Sequence, residues 1–210
     1  MALIEVDTPH GPARVHLRVA AQPKGALILG HGAGGGIAAR DLQAAGEVAL
    51  DRGLSTAFVE QPYRVAGRRA PAPGPRLDAA WNAVIAQLAG DQLSGLPLIL
   101  GGRSLGARVA CRTADAHGAV GVLCLAFPLL PPRRARSPRP PESRIAELEA
   151  VSAPTLVVQG KRDPFGLPSP GPRRRVVVVS GDHSLRSDLP GVAQAVGDWL
   201  DTVPAWTPVA

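Results

Sequence analysis

Residues 97–113 read PLILGGRSLGARVACRT, and the fold turns on them. An apolar run at 97–101 meets Gly101 and Gly102. After Arg103, Ser104, Leu105 and Gly106 a helical pattern covers 105–116. Two readings compete for Ser104. As a helix N-cap, its hydroxyl accepts a backbone N–H that the first turn leaves without a partner. As the centre of G-x-S-x-G, it sits on a sharp strand-to-helix turn with its hydroxyl exposed, and the small residues two before and two after avoid clashes there. In a chain with 24 glycines the five-residue pattern alone does not choose between them. The strand-turn-helix context favours the second, and the rest of the chain decides.

Working outward, residues 25–30 (GALILG), 54–60 (LSTAFVE), 119–126 (AVGVLCLA), 154–159 (PTLVVQ) and 174–180 (RRVVVVS) read as further strands. Several are continuous apolar runs, the mark of a parallel sheet covered on both faces. Helical patterns fall between them at 39–52, 77–90, 105–116 and 142–150, with a last one at 190–202. This alternation predicts an α/β fold: a mostly parallel central sheet with helices on both faces and right-handed crossovers. Residues 3–8 and 13–19, joined by the turn signal His10-Gly11-Pro12, have no helix between them and predict an antiparallel hairpin at one edge. Residues 61–76 read as a Pro/Gly/Arg-rich loop. No linker divides the chain, so a single domain over 1–210 is expected.

Composition narrows the function. A chain of 210 residues with 45% hydrophobic content can bury a sizeable core. No run of about 18 apolar residues is present, so no membrane span is expected. The N-terminus has no basic segment before an apolar stretch and does not read as a signal peptide. Cys111 and Cys124 read as buried free thiols, which points to a reducing, cytoplasmic setting. No Cys/His cluster has metal-ligand spacing. The net charge of +6 is local, concentrated in Arg133, Arg134, Arg136, Arg139 and Arg144 and in Arg173 to Arg175. Aromatics make up only 3% and none interleave with these clusters, so a solvated basic surface is expected rather than a nucleic-acid partner. The sequence names no oligomeric state.

A second glycine stretch competes with the elbow. Gly30-His31-Gly32-Ala33-Gly34-Gly35 matches G-x-G-x-x-G after a strand, and Glu60 ends the next strand where a ribose-binding acid would sit. Against a dinucleotide site, the loop follows two earlier strands, and His31 suits a phosphate cradle poorly. That reading also leaves the glycine-flanked Ser104 without a reason.

A serine nucleophile needs a base to take its proton and a third group to orient the base. Asp163 lies four residues past the strand 154–159, in Gly160-Lys161-Arg162-Asp163-Pro164. His183 lies three residues past the strand 174–180, in Gly181-Asp182-His183-Ser184. Each alone reads as a turn-shaping or surface residue. With Ser104, each following its own apolar strand, they make a Ser-Asp-His set. Asp182 is a poorer acid, since chain geometry hinders a residue from orienting its neighbour's ring. His10, His16 and His117 lie in a turn, an edge hairpin and a helix end, and His31 is read as holding its loop by hydrogen bonds. An oxyanion needs two preorganised donors. The N–H of Leu105 supplies one, and the glycine loop supplies the other, with Ala33 first and Gly34 second.

Together, HGAGG after the third strand, GGRSLGAR at the elbow, QGKRDPFG around the acid and GDHSL around the base resemble the α/β-hydrolase superfamily. More narrowly they resemble its small capless members, the dienelactone-hydrolase-like and testis-expressed-protein-30-like hydrolases, over about residues 25–201. Where true dienelactone hydrolases typically carry a cysteine nucleophile, this chain has Ser104. The resemblance implies a serine esterase or acyl hydrolase acting on a small-molecule ester, with no metal or organic cofactor and no cap domain. The alternative is a non-catalytic hydrolase-fold protein that binds a partner. Residues 128–144 are too short and proline-rich to form an apolar lid, so an open site is expected. Tyr63 and Arg64 follow the fourth strand and are read as solvated loop residues or, alternatively, as lining the mouth, with Arg64 pairing a substrate carboxylate.

Overall fold

The computed structural model describes residues 1–132 and 142–203. Its eight strands are β1 (Ala2–Val6), β2 (Ala13–Arg18), β3 (Gly25–Gly30), β4 (Leu54–Glu60), β5 (Leu98–Arg103), β6 (Gly121–Leu125), β7 (Thr155–Gly160) and β8 (Arg174–Val179). They form one sheet in the order β1-β2-β4-β3-β5-β6-β7-β8. β2 pairs antiparallel with β1 and β4, and every other pairing is parallel. The expected mostly parallel sheet with an antiparallel N-terminal edge hairpin is therefore what the chain forms.

The central strands are mostly apolar and buried along their length because both their faces are covered. One face carries Leu27, Leu29, Ile99, Leu123 and Leu156, packed under α1 (Arg40–Asp51) and α6 (Leu189–Leu200) through Leu42, Ala45, Val192, Val196 and Trp199. The other carries Ile28, Leu100, Val122 and Val157. Above it lie α3 (Gly74–Gly90), α4 (Leu105–Thr113) and α5 (Ile145–Glu149), through Trp81, Ile85, Ala107, Ala110 and Leu148. Each fully buried aliphatic side chain contributes roughly 1.5–3 kcal/mol. No helix among the described residues is long and apolar enough to cross a membrane.

The register sets where the loops leave the sheet. Gly30 pairs with Gly102, Arg103 with Leu125, and Gly160 with Val179. The segments after β3, β5, β7 and β8 thus emerge at one carboxyl edge.

Several boundaries differ from expectation. β5 runs on through both glycines to Arg103 rather than ending at residue 101. Residues 61–76 are not all loop: α2 (Pro62–Val65) is one turn, and α3 begins at Gly74 with Pro75 in its first turn. Proline there starts a helix, because its missing N–H is one that the first turn leaves unbonded anyway. α4 stops at Thr113 and is followed by a 3₁₀ turn at Asp115–His117. Arg133, Arg134, Arg136 and Arg139 lie outside the described residues. Arg144 is described and donates from Nη1 to the Pro128 carbonyl.

Candidate active site

Ser104 has φ 53° and ψ −107° and makes no capping hydrogen bond with its side chain. The N-cap reading is therefore wrong, and Ser104 occupies a left-handed elbow that a side chain enters at a cost of about 1–3 kcal/mol. What permits the elbow is close approach. A Cβ on Gly102 would stand 2.5 Å from the Gly30 carbonyl oxygen, and one on Gly106 would run into the same carbonyl. α4 thereby lies directly on the carboxyl ends of β3 and β5, and the serine side chain is thrown outward.

The loops after β7 and β8 bring Asp163 and His183 to it. The Ser104 hydroxyl donates to His183 Nε2 at 2.9 Å, and His183 Nδ1–H donates to Asp163 Oδ2 at 2.7 Å. Asp163 is 8% exposed. Its Oδ1 accepts the Phe165 N–H at 2.9 Å, and the Phe165 ring meets the His183 ring edge-on at 4.6 Å. Asp182 is exposed and turned away, and the Ser184 N–H and hydroxyl occupy its Oδ1. Those two donors hold its carboxyl below the usual range, with a small contribution from Arg162.

The glycine loop stands beside the serine: a Cβ on Gly32 would lie 3.6 Å from Ser104 Cβ. His31 is 2% exposed. Its Nε2 accepts the Gln61 N–H at 3.1 Å, so Nδ1 carries the proton and donates to the Gly32 carbonyl at 2.8 Å. In a trans peptide the carbonyl and the next N–H point in opposite directions. Holding the Gly32 carbonyl therefore aims the Ala33 N–H away from His31. Tyr63 does the same one peptide on. Its hydroxyl donates to the Ala33 carbonyl at 2.9 Å, which aims the Gly34 N–H. Among the described residues the N–H groups of Ala33, Gly34 and Leu105 donate to nothing.

Two sequence expectations change here. Tyr63 is 5% exposed and props the loop from behind rather than lining a mouth, and burial pushes its hydroxyl up to about 12. The glycine stretch does not open a helix, since α1 begins only at Arg40, and Glu60 is held by His16 on β2 at 3.0 Å. Both findings remove the dinucleotide reading. Arg64 is half-buried, and among the described residues its guanidinium has no hydrogen bond or ion pair. Its charge lies close enough to His31 to help lower that imidazole, whose largest cause is burial.

Two contributors carry no sequence signal. Gln159, fully buried in β7, has its Nε2, with two N–H donors, within reach of three acceptors, Asp163 Oδ2 at 2.8 Å and the Phe127 and Gly166 carbonyls at 3.0 Å, while its Oε1 has no partner among the described residues. Arg103 pairs with Asp41 of α1 at 2.8 Å.

The sequence matches the family described as alpha/beta hydrolase domain over residues 23–189. No curated protein matches it significantly. Its fold is similar to that of an alpha-beta serine hydrolase homologue from Coxiella burnetii, with a TM-score of 0.75 and 18% identity over 95% of this chain and 97% of that one. A serine hydrolase without lid from Xanthomonas campestris gives 0.73 and 19% over 100% and 96%. A dienelactone hydrolase from Anabaena variabilis gives 0.74 and 17% over 96% and 97%.

Proposed function

The chain belongs to the alpha/beta hydrolase domain family, and from that premise we propose that it is a serine hydrolase cleaving small, short-chain or anionic carboxylic esters through an acyl-enzyme on Ser104. The observation that carries this reading is the unbroken hydrogen-bond chain from the Ser104 hydroxyl through His183 to Asp163. Ser104 Oγ attacks the acyl carbonyl as its proton passes to His183 Nε2. Asp163 holds the ring in the tautomer that can accept that proton and stabilises the imidazolium that results. The carbonyl oxygen, now an oxyanion, accepts from the N–H groups of Leu105 and Ala33, with Gly34 as the alternative donor. His183 returns the proton to the leaving alcohol. A water, deprotonated by the same nitrogen, then releases the acid and restores Ser104. No step calls on a metal or an organic cofactor. Arg64, whose guanidinium has no partner among the described residues, is the residue proposed to receive a substrate carboxylate. Cys111 and Cys124 are buried and unbridged, which fits a reducing compartment and a cytoplasmic location.

Labelling with a fluorophosphonate probe tests the reading. The wild type should be labelled stoichiometrically, Ser104→Ala should not be labelled, and the same change should lower kcat on p-nitrophenyl acetate by ~10³-fold or more. A wild type that neither labels nor turns over an ester would favour the non-catalytic alternative. Labelling that survives Ser104→Ala would move the nucleophile elsewhere.

A further inference from the structure

Arg103 stands between the glycine and the serine of the elbow, and no step of the reaction above uses it. Its side chain nevertheless bonds to two other segments and lies beside a third. Nε donates to Asp41 Oδ2 at 2.8 Å, and Nη2 donates to the backbone carbonyl of His183 at 2.9 Å. Nη1 lies under the glycine loop, where a Cβ on Gly32 would stand 3.0 Å from it. Asp41 is 1% exposed, and Arg103 is its only cationic partner among the described residues. Burial raises the Asp41 carboxyl, and the Arg103 charge opposes that rise.

A buried ion pair of this kind is a weak source of stability, since desolvation offsets much of the attraction. A guanidinium does offer something an apolar side chain does not: a rigid planar fork that bonds in several fixed directions at once. Here one arm is anchored on a carboxylate in the core, and the others reach the base loop and the glycine loop. The backbone of Arg103 is continuous with the nucleophile itself.

We propose that Arg103, clamped by Asp41, is a positioning residue that locks the base loop and the glycine loop onto the nucleophile elbow. It thereby sets the distance between the His183 imidazole and the Ser104 hydroxyl. This rests on the serine hydrolase reading. Misplacement of such groups by about 1 Å can lower a rate by about 10²-fold.

Arg103→Lys and Arg103→Met in the full chain test it. Lysine keeps a positive charge for Asp41 but cannot also reproduce the fork, so its melting temperature should stay near wild type while kcat on p-nitrophenyl acetate falls about 10- to 100-fold. KM should change by less than about 2-fold, because the loss is confined to the transition state. Arg103→Met should lose at least as much activity. The downfield proton resonance of the His183 Nδ1–H···Asp163 bond, absent in His183→Gln, should broaden or vanish in both variants. A lysine variant with wild-type kcat and an unchanged resonance overturns the proposal. So does a loss of activity that merely follows the loss of melting temperature across the two variants. The resonance also separates the two readings. A wild type without esterase activity would sink the hydrolase assignment, whereas the resonance in Arg103→Lys would still decide what Arg103 does.

Discussion

Asp163 has two competitors for its charge, which makes its substitution informative. His183 and Gln159 both donate to the same oxygen, and the Phe165 N–H holds the other. Asp163→Asn keeps the volume but presents an amide where Nδ1–H expects an acceptor, so the ring loses its tautomer. The fold should persist, and kcat should fall by roughly 10³ to 10⁴. Asp182→Asn should leave kcat near wild type, because that carboxylate bonds only to its own turn; steady-state rates for the pair of variants check this, and a reversed order would transfer the role to Asp182. Ser104, Asp163 and His183 were legible as a set because each follows its own apolar strand, so strand ends alone bring them together. Gln159, Asp41 and the strut made by Tyr63 were not, because their partners lie on other elements. The Tyr63 and Ala33 pair is 30 residues apart, and Arg103 is 62 from Asp41. A buried glutamine inside an apolar strand looks, in sequence, like a polar residue at a strand end.

The glycine loop between β3 and α1 is held in part by one neutral imidazole, and this gives the loop a pH dependence. Burial, with a smaller push from Arg64, sets His31 below the ordinary histidine value of 6.5, against the Gly32 carbonyl and Glu60, which raise it. A base whose folded pKa is lowered adds stability that is present above its unfolded pKa and lost as pH falls through the folded value. Protonation would also remove the acceptor that takes the Gln61 N–H. Melting temperature should therefore drop on acidification below about 6.5. The drop should be smaller in His31→Gln, and parallel curves for the two proteins would rule out His31 as the cause. His117 is lowered by burial as well but is common to both proteins, so the difference isolates His31. Strand positions were readable because doubly covered strands have no polar face. The start of α3 and the end of β5 were misjudged for one reason. Proline at Pro75 and glycines at Gly101 and Gly102 signal turns locally, whereas here they begin a helix and admit a helix backbone against the sheet.

Ser104, Asp163 and His183 stand at the carboxyl rim of the sheet, and the sequence between β6 and α5 is rich in proline and arginine. That composition is the ground for expecting an open site with no apolar lid over a long acyl chain. Acetyl and butyryl p-nitrophenyl esters should be hydrolysed faster than lauryl or palmitoyl ones, and a preference for lauryl or longer would refute the open site. Arg64→Ala should spare neutral esters and lower kcat/KM for anionic ones by about 1 to 3 kcal/mol. Equal effects on both would leave Arg64 a solvated cation. Distant parts of the chain meet behind the sheet: α6 packs on α1, and Arg52 pairs with Asp201 across 149 residues at 2.9 Å. His183, which precedes α6, is 79 residues beyond Ser104. On a ribosome Ser104 therefore emerges well before Asp163 and His183. On the serine hydrolase reading proposed above, reactivity towards a phosphonate needs all three residues, so it would serve as a clock for completed folding.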